Sequence, residues 1–145
     1  MSDNITILAV EDNEADRKLL SHALKQNGFK GQFLTAGSAD EAYRLMVKRI
    51  DESLPLPNLV LLDLGLPDGN GHELMTRFKE VRKEQHIVLV TADDSIESIQ
   101  RAISAGANGY VVKPYSQEKI HDVVSNYAMV HGGDMAQMQG LDRHH

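Results

Sequence analysis

Leu59-Val60-Leu61-Leu62 is an unbroken aliphatic run that stops at an acid, Asp63, and dissolves at once into turn residues: Gly65, Pro67, Asp68, Gly69, Asn70 and Gly71. Consecutive aliphatic residues bounded by turn formers suit a strand buried on both faces, the situation in parallel sheets covered by helices on either side. The run is too short to be a helix of its own. Parallel strands joined by crossover helices point their carboxyl ends to one edge, where open α/β sheets bind ligands. Asp63 is thereby predicted at that edge.

The rest of the chain repeats the pattern. Ile5-Thr6-Ile7-Leu8-Ala9-Val10 reads as a second buried strand, ending in Glu11 and Asp12. After Asn13 the period changes to that of a helix, with Ala15, Leu19, Leu20, Ala23 and Leu24 on one face and Asp16, Arg17, Lys18 and Lys25 mostly turned away. A short strand over 32–35 follows, then a helix capped by Ser38 or Asp40 that is expected to bury Ala42, Leu45, Met46 and Ile50. Beyond Gly71, Leu74, Met75, Phe78 and Val81 form a helical stripe. His86-Ile87-Val88-Leu89-Val90 is a strand ending in Thr91, and the next helix is expected to turn Ile96, Ile99, Ala102 and Ile103 inward. Gly109-Tyr110-Val111-Val112 is the last strand, followed by Lys113-Pro114-Tyr115 and a helix from Ser116 to Val130. Five strands alternating with five helices imply a doubly wound parallel sheet with right-handed crossovers.

With 145 residues and 41% apolar content, the chain has the material for one domain with a real core. It has no cysteine, which excludes disulfides and thiolate metal sites. A formal charge of −6 argues against direct nucleic-acid binding. No signal peptide and no apolar run near the ~20 residues of a membrane span can be found, so no membrane insertion and a cytoplasmic location are expected. The domain is placed at residues 4–130. Residues 131–145 have no period that would bury a face and are read as a flexible tail, with His144 and His145 a possible tag remnant.

Glu11, Asp12, Asp63, Thr91 and Lys113 all follow strand ends and so share one rim. Carboxylates crowded there repel each other by about 4 kcal/mol per close pair at an effective dielectric near 20. Oxygen ligands of high charge suit a hard divalent cation. Mg²⁺ in particular uses few carboxylates and recruits phosphate for the remainder. Lys113 and Thr91 then become an ammonium and a hydroxyl for phosphoryl oxygens, and Asp63 a carboxylate able to attack phosphorus.

Ile7-Leu8-Ala9-Val10-Glu11-Asp12-Asn13, the Leu61-to-Gly71 stretch, Val90-Thr91-Ala92 and Tyr110-Val111-Val112-Lys113-Pro114-Tyr115 together resemble the receiver domain of two-component response regulators. The resemblance covers about residues 4–130 and implies a flavodoxin-like α/β fold of strand order 2-1-3-4-5 with five flanking helices. It implies Asp63 as phosphoacceptor. Glu11, Asp12, Asp63 and the backbone carbonyl of Gly65 would hold Mg²⁺. Thr91 would be the hydroxyl that moves toward the phosphoryl group, Lys113 its salt-bridge partner and Tyr110 the aromatic switch, with a cis peptide before Pro114. The implied donor is a phosphohistidine on a histidine kinase or phosphotransfer protein. The implied output is a downstream protein target docked on the face made by the fourth helix, fifth strand and fifth helix. Such a domain is not an enzyme in the ordinary sense and catalyses only its own phosphorylation and dephosphorylation. Gly65 and Asp93 are variable points of this pattern: one brings no side chain, the other an extra charge.

Three rivals share parts of these features. A phosphatase resembling haloacid dehalogenases needs a second acid two residues after the nucleophile, where this chain has Gly65. A flavin carrier needs a phosphate-cradling loop after the first strand, where this chain has Glu11-Asp12-Asn13-Glu14. A degenerate receiver serving only as a platform would not need all five rim residues. No output domain fits after Val130, so the chain is either a stand-alone receiver, which Met1 favours, or a piece of a larger regulator.

Overall fold

The computed structural model describes residues 5–131 apart from residue 70. Its strands are β1 (Thr6–Val10), β2 (Gln32–Ala36), β3 (Leu59–Leu62), β4 (His86–Thr91) and β5 (Gly109–Val112). They form one parallel sheet of order β2-β1-β3-β4-β5, the flavodoxin-like arrangement expected from the sequence. The helices are α1 (Glu14–Gln26), α2 (Ala39–Asp51), α3 (Gly71–Val81), α4 (Ile96–Ser104) and α5 (Gln117–Val130).

Alternate residues of each central strand face opposite sides, and two cores result. Ile7, Ala9, Leu59, Leu61, Val88 and Val90 pack with Leu20 and Leu24 of α1 and with Ile120, Val123 and Tyr127 of α5. Leu8, Val10, Val60, Leu62, Ile87 and Leu89 pack with Ala42 and Met46 of α2, Leu74, Met75 and Phe78 of α3, and Ala102 of α4. Each such leucine, isoleucine or phenylalanine contributes roughly 1.5–3 kcal/mol by leaving water. This two-sided burial is why the strands read as continuous apolar runs.

Three helix faces differ from the sequence expectation. Leu19 on α1 is 58% exposed, Ile50 on α2 is 48% exposed, and on α4 Ile96 and Ile103 are 70% and 62% exposed. At 3.6 residues per turn, Leu19 lies about 100° around α1 from buried Leu20, while Ile103 and Ile96 lie about 100° and 120° around α4 from fully buried Ala102. A helix laid on an open sheet buries only one stripe, and a small alanine sets where that stripe falls on α4.

The loop after β3 is fixed at both ends. A side chain at Gly71 would bring its Cβ to 2.8 Å from the Leu64 Cα, so only glycine lets α3 start there. Asp68 accepts from the backbone N–H groups of Ala39 and Asp40 at 3.1 and 3.0 Å, tying the loop to the start of α2. His131, the C-cap of α5, stacks on Tyr127 with ring centroids 4.3 Å apart. The remainder of the segment read as a tail, residues 132–145, lies outside the described residues.

Candidate functional site

The sheet register builds the site. Val10 is paired with Leu62, so Glu11 and Asp63 leave adjacent strands side by side, and the Asp63 N–H donates to the Val10 carbonyl at 3.0 Å. Thr91 is paired with Val112, so Lys113 follows one step beyond, its N–H donating to the Thr91 carbonyl at 2.8 Å. Glu11, Asp63 and Thr91 are buried, at 2%, 7% and 2% exposure, while Asp12 is exposed.

The Lys113 ammonium draws these acids together. It donates to Glu11 Oε1 at 2.5 Å, to Asp63 Oδ2 at 2.9 Å and to Asp16 Oδ2 at 2.9 Å. Burial opposes its charge, but these three bonds outweigh burial and raise its pKa, so it stays protonated at every ordinary pH. Burial is also the largest influence on Asp63 and pushes it up. The Gly65 N–H at 2.8 Å, the Lys113 ammonium and the Thr91 hydroxyl together prevail, and the carboxyl ends below its usual range. On Glu11 the balance reverses: burial wins over Lys113 and the Asn13 N–H at 3.1 Å, and its carboxyl is raised.

Asp63 is therefore an ionised carboxylate, with Oδ1 held by Gly65, Oδ2 held by Lys113, and a hydroxyl alongside. The Lys113–Pro114 peptide is cis, as the receiver-domain resemblance implies. Tyr110 donates its hydroxyl to the Asp93 carbonyl at 2.7 Å, and the Asp93 N–H donates to Thr91 Oγ1 at 3.3 Å. The Asp93 carboxylate accepts from the Ser95 N–H at 3.0 Å and the Ser98 hydroxyl at 2.5 Å, so the extra charge noted in the sequence is spent on the first turn of α4. Its carboxyl is held below the usual range by Ser98 first and Ser95 next.

One carboxylate oxygen each from Glu11, Asp12 and Asp63 lies within 4.8 Å of the others. Three hard, anionic oxygens at this spacing fit a divalent cation of the Mg²⁺ or Mn²⁺ type. The structure thus brings together all the rim residues named from sequence and adds Asp16, which sequence periodicity assigns to the outer side of α1. The available signal was its position in the first helical turn, next to the Glu11-Asp12 pair.

The chain matches the family described as response regulator receiver domain over residues 7–125. It is 36% identical over 126 residues to the probable methanogenesis regulatory protein FilR2 of Methanothrix harundinacea, covering 84% of this chain and 80% of that one. It is 30% identical over 122 residues to the chemotaxis protein CheY of Halobacterium salinarum, covering 83% and 93%. Among solved structures, the Mn²⁺-bound form of response regulator Rcp1 superposes with a TM-score of 0.70 at 25% identity, covering 86% of this chain and 91% of that one. Register, rim chemistry and these similarities agree: the chain belongs to the response regulator receiver domain family, the phosphorylated signalling domains of two-component systems.

Proposed function

We propose that Asp63 is the phosphoacceptor of this chain and that Glu11, Asp12, Asp63 and the Gly65 carbonyl hold Mg²⁺ beside it. The observation that carries this reading is the Lys113 ammonium within 2.9 Å of both Glu11 and Asp63, next to the Thr91 hydroxyl. An Asp63 oxygen forms a bond to phosphorus as the P–N bond of a phosphohistidine breaks. The imidazole leaves with the electron pair and takes its proton from water. Asp63 is ionised and so ready as nucleophile. Lys113 supplies charge for one phosphoryl oxygen, and Thr91 supplies a hydroxyl for another. When bound, the ion neutralises the carboxylates and the incoming phosphoryl charge. The donor is a histidine kinase or a phosphotransfer protein, and residues 4–130 act as the receiver unit in the cytoplasm. The chain catalyses only its own phosphorylation and dephosphorylation.

Output follows from the Thr91-Asp93-Tyr110 connection. Movement of the Thr91 hydroxyl toward a phosphoryl group breaks its bond from the Asp93 N–H and releases the Asp93 carbonyl that holds Tyr110. The face of α4, β5 and α5 then repacks for a downstream target. Intact-mass measurement after incubation with acetyl phosphate and Mg²⁺ tests the acceptor. Wild type is expected to gain one base-labile phosphoryl and Asp63→Asn none. Equal gain in both sinks the proposal. Unaltered chemical shifts across α4, β5 and α5 on phosphorylation would remove the output mechanism alone.

A further inference from the structure

Lys113 has three ammonium protons, and three carboxylates from three different elements accept them: Glu11 after β1, Asp63 after β3, and Asp16 in the first turn of α1. Two of these acceptors have other work in the reaction proposed above, on which this inference rests. Asp63 Oδ2 loses its carboxylate character when the acyl phosphate forms, and Glu11 shares its charge with the metal. Asp16 alone is called on by neither.

The backbone explains why Asp16 is available. It stands three residues after the N-cap Asn13, the place from which an acid ordinarily reaches back to the cap's own N–H. Here that N–H goes to Glu11 Oε2 at 3.1 Å, while the Asn13 side chain takes the Asp16 N–H at 2.9 Å. The Asp16 carboxylate is left to turn to Lys113. Beside it opens a cavity of about 520 Å³, lined by Asp16, Leu19, His22, Lys113, Pro114 and Tyr115. A flexible lysine released from Asp16 has room to swing into that space.

We infer that Asp16 is a positioning residue that keeps the Lys113 ammonium at the phosphoryl site while Asp63 and Glu11 are engaged elsewhere. Asp16→Ala removes the anchor. Asp16→Asn keeps an acceptor without the charge. Neither touches the α1 cap, which uses the Asp16 backbone N–H, so both are expected to fold.

The test is the phosphorylation rate constant with acetyl phosphate at saturating Mg²⁺, together with the ¹⁵N resonance of the Lys113 side chain in the Mg²⁺ and beryllofluoride complex. In Asp16→Ala the rate is expected to fall about tenfold, the equivalent of one charge-assisted hydrogen bond, and the Lys113 resonance to broaden or vanish. Asp16→Asn, which keeps a neutral acceptor, is expected to restore part of both. An unchanged rate and resonance in Asp16→Ala overturn the positioning role while leaving the Asp63 reading intact. A faster rate in both variants overturns it as well, because Asp16 then acts only as repulsive charge. Failure of the wild type itself to take up phosphate overturns the reading and this inference together.

Discussion

Lys113→Met keeps most of the stem and removes the ammonium, leaving Glu11, Asp16 and Asp63 without the cation they share. Because Glu11 and Asp63 are buried, the substitution is expected to cost roughly 3–5 kcal/mol of stability, with part restored by Mg²⁺. Urea unfolding with and without the ion checks both statements. A second residue, at the opposite end of the sheet, makes its own contribution to the pH dependence of stability. His86 is 1% exposed, and burial first, then His131 and Lys79, push its pKa from 6.5 to about 4. It is neutral in the fold, so the unfolded chain binds the proton more readily. Its contribution to stability is full above pH 6.5 and is lost as pH falls to about 4. The loss amounts to about 3 kcal/mol. His86→Gln is expected to flatten the acid limb of the stability profile between those values, and an unchanged limb would show that the imidazole is not responsible.

At the scale of single elements, α1 and α4 behave differently. The Asn13 side chain accepts from the Asp16 N–H, so Asn13→Ala, which loses that cap, is expected to cost about 1 kcal/mol in thermal unfolding. On α4, the double substitution of Ile96 and Ile103 by serine is expected to change stability by less than about 0.5 kcal/mol per site, because both face water. A loss of several kcal/mol would mean that this stripe is packed after all. Periodicity identified α4 as amphipathic and turned Ala102 inward, as the structure does, but it also turned Ile96 and Ile103 inward, and these face water. Isoleucines outweigh alanine on any hydrophobic scale, yet Ala102 is the residue small enough to let the helix approach the sheet. Gly71 shows the converse, a position whose need for glycine depends on the Leu64 backbone 2.8 Å away. Gly71→Ala is expected to cost roughly 1–3 kcal/mol by forcing the loop after β3 to shift.

For the whole molecule, a net charge of −6 with three carboxylates converging at one edge is expected to make the fold's stability respond to divalent ions. Mg²⁺ at a hundredfold excess over its dissociation constant is expected to stabilise the chain by about 2.7 kcal/mol, and Asp12→Asn to remove much of that gain. Thermal unfolding across a Mg²⁺ titration measures it. The amino-acid sequence by itself determined the succession of elements along the chain: buried runs ending at Glu11, Asp63, Thr91 and Lys113, spaced by helical stretches, leave few topologies, and a parallel sheet delivers every strand end to one rim. What it left undecided depends on directions in space. Whether Asp16 turns outward or onto Lys113, and whether Tyr110 meets Asp93, are settled by side chains from distant elements competing for the same donors. Which side of α4 is buried is settled by how closely that helix can approach the sheet. A linear pattern records the period of a helix or strand, but only the packed fold fixes its rotation and the hydrogen-bond partners within reach.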